Sequence, residues 1–373
     1  MRPLTVVQLL PALESGGVER STLEIAQALV EAGHTAIVVS AGGRLVSPLE
    51  RSGARHITLD IGRKSPATLL RIGALARLLH EVGADIVHAR SRLPAWIGRL
   101  ALARLPAATR PRWVTTVHGL NSPGRYSAVM ASGERVICVS NTVRAFVATH
   151  YPKVPQARLR VIPRGLDPMA FPHRPWPDAA IRHQVVARDP ALAGNGPLLL
   201  LPGRGTRLKG HADAIALLAD LRGQGVDARL WMPGIVQAGR EDYLSELQHQ
   251  AQALGVAGAM VCTQPTSAIA DAYAASDLVL QLSRKPESFG RTVIEALSCG
   301  RHVVGWAHGG VGELLAELQP DGAVPAFDRA ALLAATRRLL AAPPLLPGTM
   351  PYTLQAMQDA TLSLYQELAD ERR

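Results

Sequence analysis

Short apolar runs alternate with longer segments of helical periodicity along almost the whole chain. In the first half, the runs at 4–10, 36–40, 86–88, 113–117 and 136–139 predict strands, and 22–32, 68–81 and 96–105 predict helices between them. A strand apolar at nearly every position is covered on both faces. A strand followed each time by a helix is the mark of a parallel sheet with helices on both sides. A second series begins at 198–201 and runs through strands at 228–232, 260–263, 278–282 and 302–306, with helices at 212–221, 243–254, 269–275 and 292–298. The pattern predicts an α/β protein made of two doubly wound parallel-sheet domains that share an architecture but no residue-level repeat. Between them Arg160-Val161-Ile162-Pro163-Arg164-Gly165-Leu166-Asp167 and the proline-rich stretch 168–177 read as a linker. A second proline-rich connector, Pro343-Pro344-Leu345-Leu346-Pro347-Gly348, precedes a helix predicted over 352–370. The expected boundaries are therefore 1–165, 166–348 and 349–373.

Each of the chemically suggestive motifs follows a predicted strand. In an open α/β sheet that is the carboxyl edge, where ligands bind. After 278–282 comes Pro286-Glu287-Ser288-Phe289-Gly290-Arg291-Thr292-Val293-Ile294-Glu295-Ala296-Leu297-Ser298-Cys299-Gly300. Backbone N–H groups from Ser288 to Gly290, with the positive end of the following helix, favour a phosphate. Glu295 lies two turns on, about 12 Å away at the ~1.5 Å rise of a helix, which suits a diphosphate at one end and a sugar hydroxyl at each carboxylate. Taken alone, the two carboxylates also read as solvated helix-end charges.

Pro202-Gly203-Arg204-Gly205-Thr206-Arg207-Leu208-Lys209-Gly210-His211 follows the strand at 198–201, and Arg204 and Lys209 on one glycine-bearing loop can both reach a diphosphate. The spacing is not that of a Walker A loop. Glu14-Ser15-Gly16-Gly17-Val18-Glu19-Arg20 follows the first strand; the pair Gly16 and Gly17 lets backbone approach a ligand, or makes a plain tight turn. Thr115-Thr116-Val117-His118-Gly119 puts His118 at a strand end, where a lone histidine is also an ordinary structural residue. His88 and Arg90 close another strand, and His308-Gly309-Gly310-Val311-Gly312-Glu313 follows 302–306.

The Glu-x7-Glu frame from Pro286 to Gly300 resembles the signature of the retaining, nucleotide-sugar-dependent glycosyltransferases of family 4. Gly203 to Gly210 is similar to that family's Gly-Arg-x4-Lys-Gly loop. The resemblance implies the GT-B fold, two Rossmann-like domains facing a central cleft, with the acceptor domain first and the donor domain second. It implies that the terminal helix crosses back onto the first domain. It implies a catalytic set of His118, Arg204, Lys209 and Glu287. Arg204 and Lys209 would hold the pyrophosphate, Glu295 the ribose, Glu287 the donor sugar's hydroxyls, and Ser288, Phe289 and Gly290 the phosphates. Gly16 and Gly17 would face donor phosphates and acceptor, His118 the donor sugar, and His88 and Arg90 the acceptor side. Gly309 and Gly310 would be structural first and close the nucleotide pocket second, and 263–266 would border the base. Arg164 departs from the family, which usually has Asn before that glycine. The details after Glu287 look like transferases of bacterial lipopolysaccharide and cell-surface glycan assembly.

The expected reaction moves a sugar from a nucleotide diphosphate sugar, a UDP- or GDP-sugar, to a glycolipid or glycan. No Asp-x-Asp motif or His/carboxylate cluster is present, so no metal and no cofactor are expected. A GT-B nucleotide-sugar 2-epimerase and a non-catalytic anion- or membrane-binding protein are the other readings of the same chain.

Composition adds a location. At 373 residues the chain is long enough for two cores, and no apolar run approaches the ~18 residues of a membrane span. The short apolar run at the N-terminus lacks a small-residue cleavage site and reads as a first strand, so the expected location is the cytoplasm. Cys138, Cys262 and Cys299 lack metal-ligand spacing and read as core residues. The net charge of +10 is uneven: residues 1–165 carry 22 Lys/Arg against 9 Asp/Glu, and residues 166–373 carry 18 against 21. A basic first half points to peripheral contact with the anionic inner face of a membrane, or to an anionic acceptor. Nucleic acid is the weakest partner, for want of aromatics and of a recognised motif. An arginine-rich proteome is the bland explanation.

Overall fold

A computed structural model of the chain describes residues 2–14, 16–346 and 348–371. Ser15 and Pro347, each inside a motif quoted above, lie outside the described residues, as do Met1 and the last two residues of the expected 349–373 segment. The chain divides into two compact units, Met1–Gly165 with Leu354–Arg373, and Leu166–Thr353.

The first unit contains β1 (Thr5–Leu9), β2 (Thr35–Ser40), β3 (Arg55–Thr58), β4 (Ile86–Ala89), β5 (Arg112–Val117), β6 (Arg135–Cys138) and β7 (Leu159–Val161). They form one parallel sheet in the order β3-β2-β1-β4-β5-β6-β7. Chain order reverses between β1 and β4, so the loops after these two strands flank the crevice of a doubly wound sheet. Val6, Val7 and Leu9 of β1 are fully enclosed, which is why that strand reads as a continuous apolar run.

The edge strands β3 and β7 escape the apolar pattern for the opposite reason. Both are largely half-exposed, and their sequences, Arg-His-Ile-Thr and Leu-Arg-Val, are mixed. The first helix, Gly17–Glu31, starts five residues before the predicted 22, because its polar first turn carries no apolar periodicity. The predicted helix 68–81 is a 3₁₀ turn, Pro66–Leu70, followed by an α-helix, Arg71–Glu81.

The terminal helix Leu354–Asp370 packs into this first unit. Met357, Leu364, Tyr365 and Leu368 join Leu4, Val6, Ile25 and Leu29 in one core. Burying each such side chain contributes about 1.5–3 kcal/mol. Gln358 Nε2 donates to the Glu24 carbonyl at 2.9 Å, and Arg112 Nε to the Leu368 carbonyl at 2.9 Å.

The second unit contains β8 (Leu198–Leu200), β9 (Arg229–Pro233), β10 (Met260–Thr263), β11 (Leu278–Gln281), β12 (Val303–Trp306) and β13 (Ala323–Val324). All are parallel, in the order β10-β9-β8-β11-β12-β13, so the reversal falls between β8 and β11. This unit runs to Thr353, beyond the expected 348, because Leu166 N–H donates to the Tyr352 carbonyl at 3.0 Å and bridges Thr353.

The proline-rich stretch 168–177 is no free linker. Ser298 Oγ donates to the Phe171 carbonyl at 2.7 Å and Trp176 Nε1 to the Asp277 carbonyl at 3.0 Å. The fully buried Arg301 guanidinium donates to the carbonyls of Pro175, at 2.7 Å, and Ala274. Carbonyl partners of this kind replace the water that a buried cation has lost. Among the described residues no helix is long and apolar enough to cross a membrane.

Candidate active site

The two loops at the switch point of the second sheet meet through their charges. Lys209 ends the short turn Arg207–Lys209 after β8, and Glu287 lies on the loop after β11; Lys209 Nζ is 2.5 Å from Glu287 Oε1. The Ser283 hydroxyl donates to the same oxygen at 2.5 Å, and the Gln281 side chain lies 2.9 Å from that hydroxyl. Burial pushes the Glu287 carboxyl up. The Lys209 charge, with hydrogen bonds from Lys209, Ser283 and Gln281, outweighs it and holds the carboxyl below the ordinary glutamate value. Glu287 is therefore a held carboxylate with acceptor capacity left, and Lys209 has N–H donors beyond the one given to Glu287.

Glu295 lies on the helix Arg291–Ser298, which begins one residue before the predicted 292. It is buried: the Tyr273 hydroxyl donates to Oε2 at 3.0 Å, and Arg291 Nε lies 3.4 Å from Oε1. The reading of Glu287 and Glu295 as solvated helix-end charges does not survive this packing. Arg204 is exposed on the same loop as Lys209, with no ion pair among the described residues. An exposed guanidinium on the same loop as a paired ammonium can add its donors to one anion.

Two close approaches hold these loops in place. Gly210 is left-handed at φ 76°, and a Cβ there would overlap the Leu282 carbonyl, so the Lys209 turn sits directly on the end of β11. A Cβ on Gly310 would lie 2.5 Å from Phe289 Cα and 2.5 Å from its carbonyl oxygen, and Gly310 N–H donates to the Glu287 carbonyl at 2.7 Å. The motif from His308 to Glu313 is therefore the start of a helix, Gly309–Leu318, pressed under the Glu287 loop. His308 Nε2 is 2.8 Å from the Ser283 carbonyl, and Phe289 is buried against Tyr352. The Phe289 side chain is thus a support, while its backbone faces the helix start at left-handed Gly290.

In the first unit, Gly16 and Gly17 open the helix after β1. Neither has a positive φ in the left-handed range that a tight turn demands, and a Cβ on Gly17 would meet nothing within 4 Å. Gly17, inside the helix, costs about 0.5–1 kcal/mol of helix stability, while Gly16 is the N-cap and lies against the Glu19 carboxylate, 2.5 Å from where its Cβ would be.

His118 follows β5, and its Nδ1 is paired with the guanidinium of Arg164, which also donates to Ser21 Oγ. A guanidinium has donors only, so Nδ1 accepts and the ring proton sits on Nε2. Burial first, then Arg164, Arg90 and His88, holds His118 well below the ordinary histidine value. It is a neutral N–H donor near neutral pH. Replacing Arg164 with Met is expected to raise the titration midpoint of His118 and release Nδ1 for protonation. A ¹⁵N NMR titration reads both; unchanged ring shifts would show that Arg164 does not set the tautomer.

His88 and Arg90 do not line an open surface. His88 is fully buried, with Nδ1 2.5 Å from the Tyr365 hydroxyl and Nε2 2.6 Å from Thr116 Oγ1. Arg90 is 3% exposed and donates to Gln8 Oε1 at 2.7 Å and Ser21 Oγ at 3.2 Å. Both lock the end of β4 from inside. Sequence reasoning also missed Tyr273, Ser283, Gln281, Ser21 and Tyr365, whose roles arise only from contacts far along the chain. Gln281, the one polar residue in the otherwise apolar β11, was the single available signal. Among the described residues no group of three or more His, Cys, Asp or Glu side chains is gathered as a metal site.

Two family models match the chain: Glycosyltransferase Family 4 over residues 15–169 and Glycosyl transferases group 1 over residues 186–347. A D-inositol 3-phosphate glycosyltransferase of Segniliparus rotundus is 30% identical over 223 residues, 57% of this chain and 47% of that protein. The match thus spans about half the length of this curated relative. The crystal structure of a glycosyltransferase from Rickettsia africae superposes with a TM-score of 0.84 at 27% identity, covering 99% of both chains. Anabaena HepE in complex with UDP-glucose superposes with a TM-score of 0.75 at 20% identity, covering 99% of both chains, a likeness of fold.

Proposed function

The chain belongs to the group 1 glycosyltransferases, and on that premise we propose that it moves a sugar from a UDP- or GDP-sugar to a hydroxyl of a glycolipid or glycan, with retention and without a divalent metal. The observation that carries this reading is the Lys209–Glu287 pair at the switch point of the second sheet, 2.5 Å apart, with exposed Arg204 beside it.

The chemistry follows from where charge develops. As the bond from the anomeric carbon to the leaving diphosphate breaks, negative charge grows on the phosphate oxygens. Lys209 and Arg204, already in place on the loop after β8, stabilise that charge with little reorganisation. Backbone N–H groups from Ser288 to Gly290 and the start of the helix Arg291–Ser298 act in the same direction. Cations and dipoles fixed by the chain fill the role of a metal ion at the diphosphate. Glu287 accepts from sugar hydroxyls, and Glu295, held by Tyr273, accepts from the ribose.

In this reading the acceptor oxygen attacks from the face the diphosphate leaves. Its proton passes to the departing phosphate oxygen as the new glycosidic bond forms. His118, neutral and carrying its proton on Nε2, acts as a hydrogen-bond donor rather than a base. The Gly16-Gly17 helix start takes the acceptor side. The excess of positive charge in residues 1–165 favours an acceptor that is itself anionic or sits on an anionic surface, as a lipopolysaccharide-type glycolipid does.

A thermal-shift panel with UDP, GDP, ADP, CMP and their sugars, with and without EDTA, tests the donor half. One nucleoside diphosphate series is expected to raise Tm, and EDTA to leave the shift unchanged. A shift abolished by EDTA would refute metal independence, and no shift with any nucleotide would refute the donor assignment. Product analysis with donor alone separates transfer from 2-epimerisation, which needs no acceptor.

A further inference from the structure

We propose that the turn Pro66–Leu70 and the basic helices beside it form the surface by which this protein docks on an anionic lipid bilayer. The turn is built to present its leucines. Asp60 Oδ1 accepts from the N–H groups of Gly62, at 3.2 Å, and Arg63, at 3.0 Å, and Ser65 Oγ accepts from Ala67 N–H. Thr68 takes the inward position, buried, with its hydroxyl donating to the Arg63 carbonyl at 2.6 Å. That leaves Leu69 54% exposed and Leu70 81% exposed on the turn. Two adjacent leucines held outward at a turn are costly in water and are suited to the acyl boundary of a membrane.

Apart from Asp60, whose carboxylate is taken up inside the turn, the charges nearest the leucines are positive. Arg63, Lys64 and Arg71 are exposed on either side of the turn, and Arg77 follows on the helix Arg71–Glu81. The helix Arg92–Leu102 packs against that helix, and Arg104 lies beside Gly73, where its guanidinium would come within 3.4 Å of an added Cβ. None of Arg63, Lys64, Arg71, Arg77 or Arg104 has an ion pair among the described residues. Residues 61–133 hold 11 Lys/Arg and only 2 Asp/Glu, so the stretch that carries these cations is strongly basic. Nucleic acid would want exposed aromatics for stacking where this turn offers leucines.

The position links the surface to the site. A Cβ on Gly62 would lie 2.5 Å from Pro11 Cα, so the turn abuts the segment that leads from β1 into the Gly16-Gly17 helix start. A protein lying on a bilayer through Leu69 and Leu70 would therefore bring its acceptor-side glycines to the headgroup layer. This last step rests on the transferase reading; the docking surface itself does not.

The test uses the full chain in sedimentation with vesicles of phosphatidylcholine alone or mixed with phosphatidylglycerol. The protein is expected to partition onto the mixed vesicles only and to be released by high salt. Leu69→Ser/Leu70→Ser and Arg63→Glu/Lys64→Glu, all at exposed positions, are each expected to cut the bound partition by about tenfold or more, given about a fivefold effect of each cation near the surface. Both variants should keep the wild-type melting temperature and its nucleotide-dependent shift. Equal binding to neutral vesicles, full binding by either variant, or preference for single-stranded RNA over mixed vesicles at the same ionic strength would overturn the proposal. Vesicle binding without any nucleotide shift would sink the donor reading and leave this surface standing.

Discussion

Lys209→Ala is expected to lower turnover at saturating donor by about 100- to 1,000-fold, the usual cost of removing one preorganised partner of a developing anion. The substitution does two things at once. It withdraws the fixed cation from the leaving diphosphate, and it takes from the Glu287 carboxylate its charged partner at 2.5 Å, leaving the Ser283 hydroxyl as its donor. The second effect gives a pH signature. In the wild type, burial raises the Glu287 carboxyl and the Lys209 charge is the largest influence lowering it, with a net value below the ordinary one. A carboxyl depressed in this way stabilises the folded protein fully above its unfolded pKa, and that contribution is lost as pH falls through its folded pKa.

Without Lys209, the largest influence lowering the carboxyl is gone and its folded pKa rises relative to wild type, with Ser283 and Gln281 still holding it down. The variant is least stable relative to wild type near neutral pH, by about 1–3 kcal/mol for the lost charged hydrogen bond, and the deficit shrinks as acid protonates Glu287. Its activity fails on the acid side at a higher pH than wild type. Melting temperatures of both proteins between acid and neutral pH, with kcat over the same range, measure each limb. Lys209→Arg should recover the stability and only part of the turnover, because the wider guanidinium cannot occupy the ammonium position. A Tm deficit that is constant with pH would mean that Lys209 does not control Glu287.

Gly310→Ala is expected to lower kcat/KM by about 100-fold, though Gly310 need touch no substrate. Its added methyl would lie 2.5 Å from Phe289 Cα and 2.7 Å from Phe289 N. Both are backbone atoms, so no side chain can rotate away, and the Glu287 loop must move or the helix Gly309–Leu318 must back off. Overpacking of this kind costs about 1–3 kcal/mol of stability. A displacement of about 1 Å in a positioned group costs about 100-fold in rate. Gly223→Ala is the control: a Cβ there meets nothing within 4 Å, so activity and stability should stay near wild type or improve slightly. If Gly310→Ala loses stability but keeps kcat/KM, the loop position does not govern catalysis.

The alternating strands and helices were legible because a parallel sheet covered on both faces forces every central strand to be apolar. β1, β4, β5, β8, β11 and β12 therefore announce themselves. The loops after them were legible as ligand sites because their glycines and charges interrupt that pattern at the strand ends. The edge strands β3 and β7, the polar first turn of Gly17–Glu31 and the anchored stretch at 168–177 were not, since each is held by neighbours rather than by its own periodicity.

Local sequence by itself determined the element types, the carboxyl-edge position of Lys209, Glu287 and His118, and the excess of positive charge in the first half. Each of these depends only on neighbouring residues. Only the tertiary structure decided which of those groups meet. Lys209 and Glu287 are 78 residues apart and touch because β8 and β11, not consecutive strands, lie side by side. His88 and Tyr365 are 277 residues apart and meet because the terminal helix returns to the first core, which makes a histidine expected on the acceptor side a buried one. Arg164 becomes the partner that fixes His118 for the same reason: strand order and helix packing bring distant side chains within hydrogen-bond range, and no local pattern records them.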